Sequence, residues 1–117
     1  MNQLKRAQVL RTGSEISTVL KSTNVKSKHL LFCFKENLLG DFSRIGLAIP
    51  KKMAKRAVDR NKIKRMVRER FRNSSNSAAL DIVVKLNNRV GKNTKLKLRQ
   101  KERVEIRSQI EKYFDRV

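Results

Sequence analysis

The chain has 117 residues, enough for one domain with a modest core. Its 30 Lys and Arg against 10 Asp and Glu give a net charge of +20, which restricts partners to nucleic acid, an anionic membrane surface or an acidic protein. No apolar run approaches the roughly 20 residues of a membrane span, the N-terminus lacks the apolar segment of a secretory signal, and a single cysteine excludes an internal disulfide; a soluble, cytoplasmic protein with no membrane contact is expected.

Residues 1–12 carry Lys5, Arg6 and Arg11 without periodicity and are expected to form a flexible basic arm on a single domain spanning 1–117. Ser14 can cap a short helix over 15–21, in which Ile16, Val19 and Leu20 share a face. From His29 to Glu36 the pattern changes to period two, with Leu30, Phe32 and Phe34 opposite Leu31, Cys33 and Lys35. Turn residues at Gly40-Asp41 separate this strand from a second over 42–49, where Ile45, Leu47 and Ile49 oppose Arg44, Gly46 and Ala48. The short connection suggests an antiparallel hairpin. The small Gly46 and Ala48 leave room for a helix or a ligand backbone to approach their face.

Pro50 closes that strand, and the stretch 50–72 holds eleven Lys or Arg against Asp59 and Glu69. From Ala57 to Arg72 nothing breaks a helix. Ile63, Met66, Val67 and Phe71 fall on one arc; Asn61, Lys64, Arg65, Arg68 and Arg72 fall on another. Such a helix packs one face on a core and offers the other to a polyanion, because clustered cations are kept together only at some cost. Arginine forks match phosphate oxygens with paired hydrogen bonds, and Asn61 adds an amide suited to a base or a sugar hydroxyl. A polar loop at 73–77 leads to a third strand over 80–86, so strand, helix and strand form a candidate parallel crossover. After another polar loop, a last helix ends at Arg116, with Ile106, Ile110, Tyr113, Phe114 and Val117 as its buried stripe. A small mixed sheet with helices packed on it accommodates this order.

No catalytic constellation is present in the sequence. His29 stands alone at a strand start, Cys33 lies among apolar neighbours as a small hydrophobe, and no zinc spacing, P-loop or dinucleotide fingerprint occurs. Phe32 and Phe34 fit either a core or a stacking surface for unpaired bases, with Lys35 and Arg44 supplying charge in the second case. A DNA-binding helix is disfavoured because a strand ending in Pro50, not a helix-turn-helix partner, precedes the basic helix.

The string Arg60-Asn61-Lys62-Ile63-Lys64-Arg65-Met66-Val67-Arg68-Glu69-Arg70-Phe71-Arg72 resembles the signature helix of the protein subunit of bacterial ribonuclease P, R-N-R-x-K-R-x-x-R-x-x-x-R. Arg60, Asn61, Lys64, Arg65, Arg68 and Arg72 match; Lys62 replaces an arginine and loses its bidentate fork. RIGLAIPKK (44–52), with Lys51 and Lys52 at the helix entry, is also similar to the family. The resemblance implies an α+β fold of four strands and three helices with a left-handed crossover, of the kind seen in the second domain of a small-subunit ribosomal protein. The fourth strand would then be a short piece near 21–26 or a division of the hairpin. It implies an endoribonuclease whose catalyst is a large RNA assisted by Mg2+, with no catalytic or metal-binding residue on the protein. The partners would be that RNA and precursor tRNA, with no obligate protein partner. RNA binding would fall to Lys51, Lys52, Arg56, Arg60, Asn61, Lys62, Lys64, Arg65, Arg68 and Arg72. A cleft for the single-stranded 5′ leader would involve Ile16 and Leu20, where relatives carry aromatics, together with Phe32, Phe34 and Arg44. The competing expectation is a structural RNA-binding protein of the ribosomal type, without nuclease activity.

Overall fold

A computed structural model describes residues 9–10, 13–37, 42–73, 79–92, 95 and 97–116. The elements follow the order α1 (Gly13–Leu20), β1 (Thr23–Lys26), β2 (Leu30–Glu36), β3 (Arg44–Ala48), α2 (Ala57–Arg72), β4 (Leu80–Leu86) and α3 (Gln100–Arg116). The expected α+β class is correct, and β1 is the short fourth strand near 21–26. The last position of the expected α3 stripe, Val117, lies outside the described residues, as do 38–41 and most of the 73–77 loop.

The four strands form one sheet in the order β1-β2-β4-β3. β4 runs antiparallel to β2 and parallel to β3, so the expected hairpin between β2 and β3 does not form. The reason lies in β4. Ile82, Val83 and Val84 are all fully buried, and a strand apolar on both faces belongs in the sheet interior. It displaces β3 to the edge, and α2 makes the crossover from β3 to its parallel neighbour.

The pleat divides the buried residues into two layers. Leu30, Phe32, Ile45, Ile82, Val84 and Leu86 face the helix pair α2 and α3, where they meet Ile63, Val67, Phe71, Ile106, Ile110, Tyr113 and Phe114. Burying side chains of this size contributes about 1.5–3 kcal/mol each. On the other face a smaller cluster joins Leu10, Val19, Cys33 and Val83, flanked by Ile16, Leu20, Leu31 and Ala48. The space beside Gly46 is used as its size suggests. A Cβ there would stand 3.1 Å from Leu10 Cβ and 3.3 Å from Ile16 Cγ1. The amide of Leu10 donates to the Ile45 carbonyl at 2.8 Å, and Val9 bridges Ile45 in parallel. Thus Val9 and Leu10, two residues of the arm expected to be flexible, are held along β3; its other residues, 1–8 and 11–12, lie outside the described residues.

Candidate nucleic-acid interface

Helix α2 has the expected bounds and two faces. Ile63, Val67 and Phe71 are buried, and Met66 packs against the same core. A fourth buried position, Asp59, is only 1% exposed and was not legible from the apolar spacing. Its Oδ2 accepts the Leu98 amide at 3.1 Å and lies 3.3 Å from Arg56 Nε, fastening the segment before α3 to the first turn of α2. At the other end Arg70 reaches Glu111 at 2.9 Å and Asp115 at 2.6 Å, and its guanidinium lies 5.8 Å from the Phe114 ring centre. These two ties fix how α2 rotates on the core.

The opposite face carries the cations. Asn61, Arg65, Arg68 and Arg72 line one open concavity of about 350 Å³. Lys64 and Arg68 form one wall of a second, of about 220 Å³, whose other lining includes Leu10, Ile16 and Gly46. Arg68 belongs to both, so the cationic face runs without interruption into a groove bounded by the arm, α1 and the β3 edge. No ion pair neutralises Lys64, Arg65, Arg68 or Arg72 among the described residues.

The remaining expected RNA-binding residues divide by their contacts. Lys51 and Lys52 are exposed in the turn before α2, and Lys62 is half-buried on the helix. Arg56 is paired with Asp59. Arg60 turns back on its own chain, its Nη1 donating to the carbonyls of Ala54 at 2.9 Å and Lys55 at 3.1 Å.

The expected leader-cleft residues are not brought together. Ile16 and Leu20 lie on the α1 side of the sheet. Phe32 is fully buried on the other side, and Phe34 points the same way, half-buried, 6.3 Å from the Tyr113 ring. Strand parity separates them: the β2 side chains facing α1 are Leu31, Cys33 and Lys35, one residue out of step with the aromatics. Arg44 is on the α1 side, yet its charge is consumed. Nε and Nη2 bind both oxygens of Asp81 at 2.8 and 2.7 Å, and Nη1 meets Glu15 at 3.0 Å. The hydrogen bond to Asp81 is the chief cause of a raised Arg44 pKa. Burial pushes the Cys33 thiol up, which suits a packed hydrophobe and not a nucleophile. Among the described residues no group of His, Cys, Asp and Glu could hold a metal ion, and no helix is long and apolar enough to cross a membrane.

A small α+β domain with a core-anchored helix, whose outer face carries cations that no ion pair neutralises among the described residues and which borders a groove at the sheet edge, has the design of a polyanion-binding protein. The chain belongs to the ribonuclease P protein family. The family model for ribonuclease P matches residues 4–113. The chain is 38% identical over 102 residues to the ribonuclease P protein component of Legionella pneumophila strain Lens, covering 86% of this chain and 88% of that one. It is 52% identical over 77 residues to that of Aliivibrio fischeri, covering 64% and 65%. Among solved structures, the Staphylococcus aureus ribonuclease P protein superposes with a TM-score of 0.68 at 26% identity, over 96% of this chain and 93% of that one. The Thermotoga maritima protein gives 0.68 at 25% identity, over 92% and 96%.

Proposed function

We propose that this protein subunit of ribonuclease P serves an RNA subunit that carries the catalysis and its Mg2+, in the cytoplasm, and that it holds precursor tRNA by the 5′ leader. The face of α2 made by Asn61, Lys64, Arg65, Arg68 and Arg72 neutralises phosphates where two polyanions, catalytic RNA and substrate, must approach one another. The leader follows the groove between Lys64 and Arg68 on one side and Leu10, Ile16 and Gly46 on the other. In that position the cations hold its phosphates while the apolar wall accepts its unpaired bases. Phe32 and Phe34 have no part in it.

The observation that carries this reading is the position of Arg68, which lines both the cationic concavity and the groove. The precursor has a leader to bind there and the mature product has none. A difference in binding between the two, and not overall affinity, is what lets the protein favour substrate. No catalytic group on the protein is required. The test is cleavage of a precursor tRNA by a bacterial ribonuclease P RNA at low Mg2+, with and without the protein. Acceleration by the protein is expected; equal rates would overturn the assignment.

A further inference from the structure

The turn preceding α2 is built more firmly than a solvent-exposed basic loop requires. The amides of Met53 and Ala54 both donate to the Pro50 carbonyl, at 3.0 and 3.2 Å, and the Met53 carbonyl accepts the Val90 amide at 2.8 Å. Ala54 is fully buried, whereas Lys51, Lys52 and Lys55 are exposed and unpaired among the described residues. Three such charges within five positions repel one another, and a free loop would splay to relieve that repulsion. Arg60 ties the loop to α2: its Nη1 donates to the Ala54 and Lys55 carbonyls, the last two before Arg56. Arg56, the next cation, is held in turn by buried Asp59. A guanidinium spent in this way gives up part of its donor set to the protein.

We propose that the turn over residues 50–56 is a phosphate-binding element in its own right, presented by Lys51, Lys52 and Lys55, with Arg60 as its positioning residue and not one of its phosphate ligands. This rests on the RNA-binding function proposed above. It adds Lys55 to the interface and changes the role of the first arginine in the Arg60–Arg72 string. Arg60 acts through the backbone it holds.

Two readouts test the assignment. The first is amide hydrogen exchange in the free protein. Arg60→Met keeps the side-chain stem and removes the donors, so exchange at Met53 and Ala54 should accelerate while the α2 interior and β4 stay protected. Unchanged exchange at those two amides would overturn the proposal. The second is binding to a bacterial ribonuclease P RNA. Arg60→Met should lose about as much affinity as Lys51→Ala/Lys52→Ala/Lys55→Ala. Combining them should add less than about a further twofold, whereas independent sites would multiply. Arg60→Gln retains one amide donor for the carbonyls without charge and should recover part of both losses. If Arg60→Gln and Arg60→Met bind equally poorly, or the combined variant shows multiplied losses, Arg60 is a direct phosphate ligand and the proposal fails. If the unmodified protein does not bind that RNA, the function proposed above fails, and the exchange experiment still decides the role of Arg60.

Discussion

Phe32 and Tyr113 stack face to face, their ring centres 4.4 Å apart and their planes 7° from parallel. The pair joins β2 to α3 across the larger core layer, so Phe32→Ala removes a ring that nothing can replace. A loss of about 3–5 kcal/mol is expected, measured by urea unfolding. Phe34, half-buried on the same side, should cost less as Ala. It should change precursor and mature tRNA binding equally; a selective loss of precursor binding would place it in the leader path after all. Tyr113 supplies an independent probe of the same packing, being the chain's single tyrosine. Burial pushes its hydroxyl up to about 12, with the Cys33 thiol adding in the same direction. Phenolate absorbance should therefore rise near that pH in the folded protein and near 10 in denaturant. The unfolded chain loses this proton first, so the tyrosine's contribution to stability is lost as pH rises above 10.

A second prediction concerns Arg44, which binds Asp81 through two nitrogens and Glu15 through a third. Arg44→Ala leaves Asp81, 9% exposed, with the Asn37 amide at 3.3 Å as its remaining side-chain partner among the described residues. The pair is partly open to solvent, so the cost should be about 1–3 kcal/mol, below that of breaking a fully buried pair. Arg44→Leu/Asp81→Leu should recover much of it. A double variant as unstable as the single would mean that packing, and not the stranded carboxylate, is responsible.

The chain's one histidine sets a third expectation. The His29 ring is enclosed by α3: Gln109 Nε2 lies 2.9 Å from Nδ1, and Glu102 and Glu105 lie 3.8 and 4.0 Å from Nε2. Desolvation lowers its pKa, while Glu105 and Glu102 oppose that and Lys28 and Lys92 assist it. With the folded pKa below 6.5, the unfolded chain takes up the proton first as pH falls. Stability is thus complete above 6.5 and declines as pH falls below it, until His29 in the folded state also titrates. Urea midpoints from neutral pH to about 5 should show that decline, and His29→Gln should flatten it. An equal decline in the variant would assign the effect to carboxylates.

Gly46 yields a fourth. Its missing Cβ is the space that Leu10 and Ile16 occupy. Gly46→Ala should force the arm away from β3 and cost about 1–3 kcal/mol, as overpacking generally does. Since Leu10 and Ile16 wall the groove, precursor binding should weaken along with stability. Loss of stability with precursor binding intact would separate the groove from the leader.

How far these features were legible in the sequence depends on whether local pattern or long-range pairing decides them. Helix α2 could be bounded from residues alone because 57–72 lacks a breaker and its apolar and cationic arcs are distinct. The parity of β2 was equally readable, and it separates Phe34 from Ile16; likeness to the family's aromatic strand obscured it. Sheet order was not local. The β2–β3 hairpin follows from a short connection, yet the run Ile82-Val83-Val84 already marked β4 as the strand needing cover on both faces. Arg44, Arg56 and Arg60 look like free cations in the sequence because nothing there reveals that Asp81, Asp59 and two carbonyls claim them. Asp59 was hidden for the same reason, since an acid among cations gives no sign of burial.

The last prediction addresses the cationic face directly. Arg65 and Arg68 are exposed, unpaired among the described residues, and on a different side of the helix from Arg70, which ties α2 to α3. Arg65→Ala/Arg68→Ala should leave thermal stability almost unchanged, as exposed positions do. For every phosphate that the variant no longer neutralises, the dependence of log affinity on log salt should flatten by about 0.9 for a duplex and about 0.7 for a single strand. Affinity for ribonuclease P RNA should fall at low salt and converge with that of the unmodified protein as salt rises. Because Arg68 also borders the groove, Arg68→Ala alone should reduce the preference for precursor over mature tRNA, while Arg65→Ala alone should not. Titrations of both single variants against the three RNAs separate these effects. An unchanged salt slope in the double variant would move the RNA-binding surface off this face of α2.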